Sequence, residues 1–453
     1  MDVKRRTVPL IVAAALLAGV TLGWAARAHT TWDTYRYLLP WYEYVSTHGA
    51  AVLSATFTNY TPFYTYLLVA AARFDSVAAP LTLIKAISAV FELGCAAMAA
   101  AIVHAAGGRR RSAALAFAAA WLAPTVLFNG ALWGQADSIW TFFILVSIWF
   151  FVRGRNGVAS FAAAFAVKAQ GVFLGPFILG MMIRRRFHWA WLAAIPAVYI
   201  GLAAPVLIAG RPLGEVMSIY LSQIRLYPDL SRNAANLWTL APTIAPNVGV
   251  PVGLALAATA GLALAVFVAR SRRDDGQVVL LAASASLLLM PFLLPKMHDR
   301  YFYAFELTAI ALACLNPRYL VVALIAQVDG VLSYLPYERT LPPGALAPAI
   351  LCNGALAIFI LFELVKPVPA GRFPRVHCAA YAAACAAAFT ALLEIPPLHP
   401  LPPLCLGLGT IMALTGIALL LRTRWGGETG RPSVADTPSA PTSPTSIAPP
   451  SIW

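Results

Sequence analysis

Charged side chains are scarce in this sequence: 11% of its 453 residues are Asp, Glu, Lys or Arg, whereas 60% are hydrophobic. This composition excludes an ordinary soluble domain, in which about 25% of residues are charged. Apolar runs of about 18 residues or more recur from end to end, and each can cross the hydrocarbon core as a helix. Alternation with period two is missing, which argues against a β-barrel. The sequence therefore predicts an all-α polytopic membrane protein with about 11–13 transmembrane helices.

Cysteine and histidine are also rare, with six and seven residues, and the cysteines show no metal-ligand spacing. Most of the cysteines lie inside apolar runs, where the thiol acts as a small apolar group. No cofactor is predicted.

The net charge of +14 would suit a nucleic-acid-binding protein, but its distribution argues against one. The basic residues cluster at the ends of apolar runs, as in the cytoplasmic loops of membrane proteins. These clusters lie at 4–6, 109–111, 153–155, 184–186, 270–273, 318, 366–375 and 422–424. We therefore expect membrane lipids as partners, and no nucleic acid.

The basic clusters fall on one side of the membrane if the apolar runs alternate in direction. The opening MDVKRR and its apolar run resemble a signal peptide, but no small-residue cleavage site precedes Asp33, so we expect a retained helix. The predicted spans are 7–28, 77–105, 113–129, 138–152, 189–209, 250–269, 277–295, 302–316, 319–335, 345–365, 377–394 and 402–421. Residues 1–424 then form one membrane domain, and the Pro-, Ser- and Thr-rich tail 425–453 is a disordered cytoplasmic segment.

The segment 157–183 has basic residues at both ends, so it enters and leaves the membrane on the same side. Its length is too short for two full spans of about 20 residues each. A broken or re-entrant pair with its turn at 168–171 satisfies both conditions, because irregular backbone is tolerated where it lines a cavity. Lys168 and Gln170 lie at this turn. A buried lysine there is costly unless it faces water or an anion, which makes it a candidate binding residue.

The first external loop reads HTTWDTYRYLLPWYEYVSTHGAAVLSATFTNYTPFYTYLL. Its many aromatic residues suit interfacial helices in the headgroup zone. A carboxylate in this setting, at Asp33, would accept a proton from an incoming hydroxyl.

The second external segment, NGALWGQADSIW at 129–140, places Gln135 and Asp137 where the next helix begins. Asp137 is either a helix cap or part of a packed polar turn that binds substrate. On the preceding span, Lys85 and Glu92 share a helix face, and we expect them to pair with each other.

A third external segment, LLPKMHDRYFYAF at 293–305, carries Lys296, His298 and Arg300. These side chains either anchor the helix ends in the interface or bind an anion. Arg offers a forked guanidinium and His a switchable imidazole, which suit a phosphate.

Together these segments resemble the GT-C superfamily of integral-membrane glycosyltransferases, and within it the bacterial relatives of the mannosyltransferases of GPI-anchor and dolichol-oligosaccharide synthesis. The resemblance covers about residues 1–310, and residues 311–424 match only as further membrane helices. The matching stretches are Asp33, NYTPFYTYLL from Asn59, Lys85 with Glu92, WGQADS at 133–138, KAQ at 168–170 ahead of Pro176, and PKMHDRYFY at 295–303.

The resemblance implies an inverting glycosyltransferase of the bacterial inner membrane, with its active site on the periplasmic face and a polyprenyl-phosphate monosaccharide as donor. Mannose is the sugar it suggests. Asp33 matches the general base of such enzymes. Lys168, Gln170, Lys296, His298 and Arg300 would hold the donor phosphate, and Asn59, Tyr60, Gln135 and Asp137 would contact the sugar.

One departure from the family concerns metals. Many members carry a second acidic residue two positions after the first, whereas Asp33 is followed by Thr34 and Tyr35. Because a divalent metal usually takes more than one carboxylate, we expect no metal in the site.

Two other functions are consistent with the same residues. A lipid-linked sugar transporter or flippase would also carry intramembrane charges, although the polar residues here concentrate on one face and no inverted repeat is evident. A ligase with a lipid-linked oligosaccharide donor would use the same outer cavity. The acceptor is a lipid, a glycan or a protein, and the external loop 210–249 is the candidate for its recognition.

Overall fold

The computed structural model describes residues 3–365 except 186, 272 and 338–341. The predicted helices 377–394 and 402–421 and the predicted tail 425–453 lie outside the described residues.

The described chain is almost entirely helical. Proline opens several of the helices, among them α3 and α4, where its fixed φ suits the first turn and its missing N–H is not needed. The helices are α1 (Val3–Ala26), α2 (Leu39–His48), α3 (Pro62–Ala71), α4 (Pro80–Ala105), α5 (Arg110–Trp121), α6 (Pro124–Val126), α7 (Asp137–Val152), α8 (Val158–Val167), α9 (Gly175–Arg185), α10 (Ala194–Ile208), α11 (Leu213–Arg225), α12 (Pro246–Arg270), α13 (Gly276–Leu293), α14 (Tyr303–Leu315), α15 (Leu320–Tyr334) and α16 (Ala347–Val365).

Seven helical segments within the described residues are long and apolar enough to cross a membrane. They are Thr7–Ala26, Pro80–Ala105, Arg110–Leu132, Trp189–Ile208, Pro246–Arg270, Gly276–Leu293 and Gly344–Val365. Three shorter apolar helices, α7, α8 and α14, pack among them. The prediction of an all-α, multi-pass membrane protein is confirmed.

The helices differ in how far they are covered by protein. All side chains of α13 from Val278 to Pro291 are buried, and so are those of α14 from Tyr303 to Ala313. By contrast, α1, α10 and α12 expose large apolar side chains such as Leu17, Ile200 and Leu262. Exposed apolar faces of this kind suit contact with lipid chains. Helices α13 and α14 therefore form the centre of the bundle.

Helical geometry stops at Lys168, between α8 and α9. This residue is extended, with φ −154° and ψ 139°, and a short 3₁₀ helix at Ala169–Leu174 follows it. The Gly171 N–H donates to the Lys168 carbonyl at 3.0 Å. The irregular backbone thus occurs at the segment where the sequence predicts a turn.

A two-stranded parallel ladder joins the loop between α11 and α12 to the loop between α13 and α14. Strand β1 (Ser231–Arg232) pairs with β2 (Met297–His298). The Lys296 N–H donates to Leu230 O at 2.6 Å, and the Asp299 N–H donates to Arg232 O at 3.0 Å. The ladder fixes the backbone on which His298, Asp299 and Arg300 stand.

Candidate functional site

A cavity of about 280 Å³ opens where the loops after α1, α8, α11 and α13 meet. Seven of the ten site residues predicted from the sequence line it. They are Asp33, Asn59, Tyr60, Gln135, Lys168, His298 and Arg300. The predicted alternation of the helices puts these segments on one side of the bundle, and the packing of the helices brings their side chains into one cavity.

Asp33 lies at the N-terminal end of the short helical turn Thr34–Leu38, with 8% of its surface exposed. Its Oδ2 atom accepts a hydrogen bond from Gln135 Nε2 at 2.6 Å and another from Trp133 Nε1 at 3.1 Å. Its backbone N–H donates to the Tyr337 hydroxyl at 3.0 Å. No ion pair to Asp33 occurs among the residues that the structure describes. The carboxylate is therefore oriented by neutral donors, and it lines the cavity.

The cations of the site are organised around Asp137, which is 0% exposed. Its Oδ1 atom accepts from Lys168 Nζ at 2.5 Å and from Trp140 Nε1 at 3.1 Å. Its Oδ2 atom lies 3.2 Å from Arg300 Nε and accepts from Asn129 Nδ2 at 3.1 Å. A single buried carboxylate thus brings together two cations from distant parts of the chain.

The guanidinium of Arg300 has a second carboxylate neighbour. Its Nη1 donates to Asp299 Oδ1 at 3.2 Å, and its Cζ lies 5.4 Å from the centroid of the Trp133 ring. Asp299 is 3% exposed and also lines the cavity. The guanidinium is held on two sides by Asp137 and Asp299, which fixes its orientation towards the cavity.

The titratable groups beside Arg300 have shifted pKa values. Burial raises the pKa of Asp299 to about 7, against the opposing charge of Arg300 and with help from the negative charges of Asp33 and Asp137. Burial, followed by the charges of Arg300 and Lys168, lowers the pKa of His298 well below its ordinary value. His298 is therefore neutral near pH 7, whereas Asp299 titrates there.

Aromatic and amide side chains form another part of the cavity wall. Trp32, Tyr37 and Trp41 line it, and the Tyr37 and Trp41 rings are 5.5 Å apart between centroids. The Tyr60 hydroxyl donates to Gln135 Oε1 at 3.3 Å, and its ring centroid lies 5.4 Å from Lys168 Nζ. This wall offers flat apolar surfaces together with polar groups, as small-molecule sites usually do.

Three predicted site residues do not line the cavity: Gln170, Asp137 and Lys296. Gln170 is buried behind Lys168 in the 3₁₀ segment. The Lys296 ammonium donates to the carbonyls of Tyr227 and Pro228 at 2.8 and 2.9 Å. The Asp137 side chain makes no hydrogen bond that caps α7. Of the two predictions for Asp137, a helix cap or part of a packed polar turn, the geometry agrees with the packed polar turn.

The expected pairing of Lys85 with Glu92 is not what the structure shows. Lys85 Nζ donates to the carbonyls of Ala26 and His29 at 2.8 and 2.7 Å, at the end of α1. The Glu92 carboxylate instead packs against Gly130. Because the carbonyls at a helix C-terminus carry partial negative charge, Lys85 stabilises the end of α1.

Sequence reasoning missed several residues of the site. Trp133 was part of a quoted motif but had no predicted role, although it contacts both Asp33 and Arg300. Tyr337 lines the cavity without any sequence signal that marks it, and Arg232, which belongs to the loop 210–249 predicted to recognise the acceptor, lines it as well. Among the described residues, no three His, Cys, Asp or Glu side chains are grouped so as to hold a metal ion.

No protein-family model matches the chain, and a search of curated proteins finds no match. The functional conclusion therefore depends on the geometry of the cavity.

Proposed function

We propose that this protein is an inverting glycosyltransferase that uses a polyprenyl-phosphate monosaccharide as donor. The observation that supports this most strongly is the arrangement of charges in one cavity. Asp33 is a carboxylate hydrogen-bonded only by neutral side chains, and Lys168 and Arg300 are two fixed cations on the same cavity surface. A base and an anion site in one cavity are what a displacement with a phosphate leaving group requires.

In this mechanism Asp33 takes the proton from the acceptor hydroxyl as the hydroxyl oxygen attacks C1 of the sugar. The new bond joins that oxygen to C1, and the bond between C1 and the phosphate oxygen breaks with its electron pair. The leaving polyprenyl phosphate gains one negative charge, which Lys168 and Arg300 stabilise as it develops. One displacement inverts the configuration at C1. Gln135 and Trp133 hold Asp33 Oδ2, so the proton arrives at the other carboxylate oxygen.

The aromatic wall and the amides are the proposed sugar subsite. Trp32, Tyr37 and Trp41 give flat faces for a sugar ring, and Asn59 and Tyr60 supply polar groups beside them. His298, neutral at pH 7, is suited to a hydrogen bond with a phosphate oxygen without proton transfer.

We also propose the membrane placement that this donor requires. The cavity faces the periplasm of a bacterial inner membrane, the side opposite to the basic clusters. The helices α8 and α9, with extended Lys168 between them, form a broken pair that enters and leaves on the cytoplasmic side. This places the Lys168 ammonium at the depth of a lipid phosphate.

The test is transfer of label from radiolabelled polyprenyl-phosphate mannose in proteoliposomes. Asp33→Asn should lower kcat by about 10²–10⁴-fold, as expected for loss of a general base. Arg300→Ala should weaken donor binding. Glu43→Gln and Arg73→Ala change exposed residues that do not line the cavity and are the matched controls.

The outcomes separate the proposal from its rivals. Full activity of Asp33→Asn would contradict the role of Asp33, and unchanged donor affinity of Arg300→Ala would contradict the phosphate role. Donor that crosses the bilayer with its label still attached would identify a flippase instead.

A further inference from the structure

Two of the cations that line the cavity, Lys168 and Arg300, are neutralised by two carboxylates. Lys168 and Arg300 contribute two positive charges, and Asp137 and Asp299 contribute two negative charges when both are ionised. The cluster then has no net charge, and a cluster of zero net charge attracts an anion weakly. If Asp299 carries a proton, the same cluster has a net charge of +1. The protonation of Asp299 therefore decides whether the site favours a phosphate.

Asp137 and Asp299 differ in how firmly their charge is fixed. Asp137 contacts both cations and two further donors, Asn129 and Trp140, so its ionised form is well stabilised. Among the described residues, the side chain of Asp299 has hydrogen bonds from Arg300 alone, through Nη1 at 3.2 Å and through the backbone N–H. Asp299 also lines the cavity, whereas Asp137 does not. Asp299 is thus the carboxylate of this cluster that an incoming anion would approach.

The charged and titratable groups around Asp299 come from five elements. Asp33 lies after α1, Asp137 begins α7, Lys168 ends α8, Arg232 belongs to β1, and His298 and Arg300 flank Asp299 in its own loop. The two other carboxylates disfavour a charged Asp299, whereas Arg300 favours it. A phosphate would add a further negative charge beside Asp299.

We propose that Asp299 is a positioning residue whose proton sets the charge of the Lys168–Arg300 cluster, so that the phosphodiester donor binds together with one proton. This inference rests on the proposed donor site. It assigns to Asp299 a function in the same cavity that differs from those of the base Asp33 and of the contacting cations.

Burial raises the pKa of Asp299 to about 7, which puts its titration in the physiological range. Below this pH the carboxyl is neutral and the cluster has a net charge of +1. Above this pH the Asp299 carboxylate is charged. Donor binding then either takes up one proton from solution or occurs at a cluster without net charge. Affinity therefore falls as the pH rises through the pKa of Asp299.

The first experiment is isothermal titration calorimetry of the purified protein with farnesyl methyl phosphate. This phosphodiester keeps one negative charge across the pH range, so its own ionisation does not contribute. The expected affinity falls about tenfold between pH 6 and pH 8 for a single group that titrates near pH 7. Titrations at pH 8 in MOPS and in imidazole buffer, whose ionisation enthalpies differ, should show uptake of about one proton for each ligand bound.

Two variants identify the group that takes up the proton. Asp299→Asn makes the net charge of the cluster +1 at every pH, so its affinity at pH 8 should equal that of the wild type at pH 6. His298→Gln removes the neighbouring imidazole, which does not titrate near pH 7, so the tenfold pH dependence should persist. If Asp299→Asn fails to fold, proton uptake by the wild type and by His298→Gln decides between the two groups.

The results separate this inference from the proposed function. If the wild type binds the phosphodiester equally well at pH 6 and pH 8 without proton uptake, the role of Asp299 is overturned and the donor site stands. Loss of proton uptake in His298→Gln would also overturn it. If the wild type shows no binding at any pH, the proposed donor site fails, and the role of Asp299 fails with it.

Discussion

Lys168 and Arg300 are held side by side because they contact opposite oxygens of the same buried carboxylate, that of Asp137. Lys168 comes from the extended residue between α8 and α9, and Arg300 from the loop before α14. The carboxylate therefore fixes the distance between the two cations before any ligand binds. Preorganised charges of this kind stabilise a developing anion without reorganisation during the reaction.

Replacement of Asp137 should destabilise the whole bundle. Asp137→Asn keeps the size of the side chain but leaves Lys168 and Arg300 without their shared counter-ion in a buried site. Loss of one partner of a buried ion pair costs about 3–5 kcal/mol. We expect a clearly lower midpoint in thermal unfolding of the protein in nanodiscs, measured by tryptophan fluorescence.

Asp274→Asn is the matched control for this loss. Asp274 also contacts two cations, Arg184 and Arg185, but its side chain is 53% exposed. Exposed ion pairs contribute about 0–1 kcal/mol to the free energy of unfolding. Equal shifts of the two midpoints would contradict the structural role of Asp137.

Loss of the Gln135 amide should slow the reaction more than it weakens binding. Gln135→Leu removes the 2.6 Å hydrogen bond to Asp33 Oδ2 while preserving bulk. A hydrogen bond to a charged group contributes about 1.5–3 kcal/mol, so kcat should fall by about 10- to 100-fold. The measurement is steady-state transfer from labelled donor, with kcat and KM determined separately.

Tyr60→Phe tests whether the effect depends on Asp33. The Tyr60 hydroxyl contacts the oxygen of the same amide at 3.3 Å but does not contact Asp33. This variant should change kcat by less than about fivefold, because the lost bond to Gln135 is neutral and long, whereas loss of the proposed sugar contact of Tyr60 should raise KM. A larger loss than in Gln135→Leu would mean that the amide does not act through Asp33.

Gly130 should not tolerate a methyl group. A Cβ atom at this position would lie within van der Waals overlap of the Glu92 carboxylate, which is fully enclosed by protein. Such overpacking costs about 1–3 kcal/mol. Gly130→Ala should therefore lower the unfolding midpoint, and Glu92→Ala in the same chain should restore part of the loss.

Gly201→Ala provides the comparison at a helical glycine with free space. No atom lies within 4 Å of a Cβ built at Gly201, which is part of α10. Alanine favours helix over glycine by about 1 kcal/mol, so this variant should be neutral or stabilising. Similar destabilisation by both substitutions would show that backbone conformation, and not the Glu92 contact, limits Gly130.

Lys85 should control the order of the end of α1. Lys85→Met removes the donor to the Ala26 and His29 carbonyls and keeps the apolar stem. We expect faster amide hydrogen exchange in the segment 26–34, measured by mass spectrometry. Exchange within α13 serves as the internal reference. Unchanged exchange at 26–34 would contradict the stabilising role of Lys85.

Most of the described helices follow from the lengths of the apolar runs. The predicted spans 277–295 and 345–365 correspond to Gly276–Leu293 and Ala347–Val365. The helix boundaries are visible in sequence because prolines and basic residues stand at the ends of the runs. The grouping of Asp33, Lys168 and Arg300 in one cavity was predicted from topology, since loops on one side of a bundle lie close together.

The partner of each polar side chain was harder to predict. Asp137 contacts two cations that are distant in sequence, and only the packing of α7 against α8 and α13 brings them within reach. Lys85 lies on the same face of α4 as Glu92, seven residues before it, yet its ammonium donates to carbonyls at the end of α1. Lys296 was expected at a phosphate, but its backbone has φ 66° and its ammonium meets carbonyls of a neighbouring loop. Which partner a polar side chain contacts depends on the distances between helices and loops in the folded chain. The periodicity of the sequence carries no information about these distances.

The ladder between β1 and β2 has a consequence for exchanging segments between related chains. Because Ser231 and Arg232 are hydrogen-bonded to the backbone that carries His298 and Asp299, the loop 210–249 and the residues 296–300 share one folded unit. A chimera that replaces the loop 210–249 alone would place a foreign β1 segment beside the native β2 segment. The hydrogen bonds between these two backbones would then not be matched. Transplanting both segments together would preserve the register and the position of Arg300, so the proposed role of the loop 210–249 in acceptor recognition has to be tested with paired exchanges.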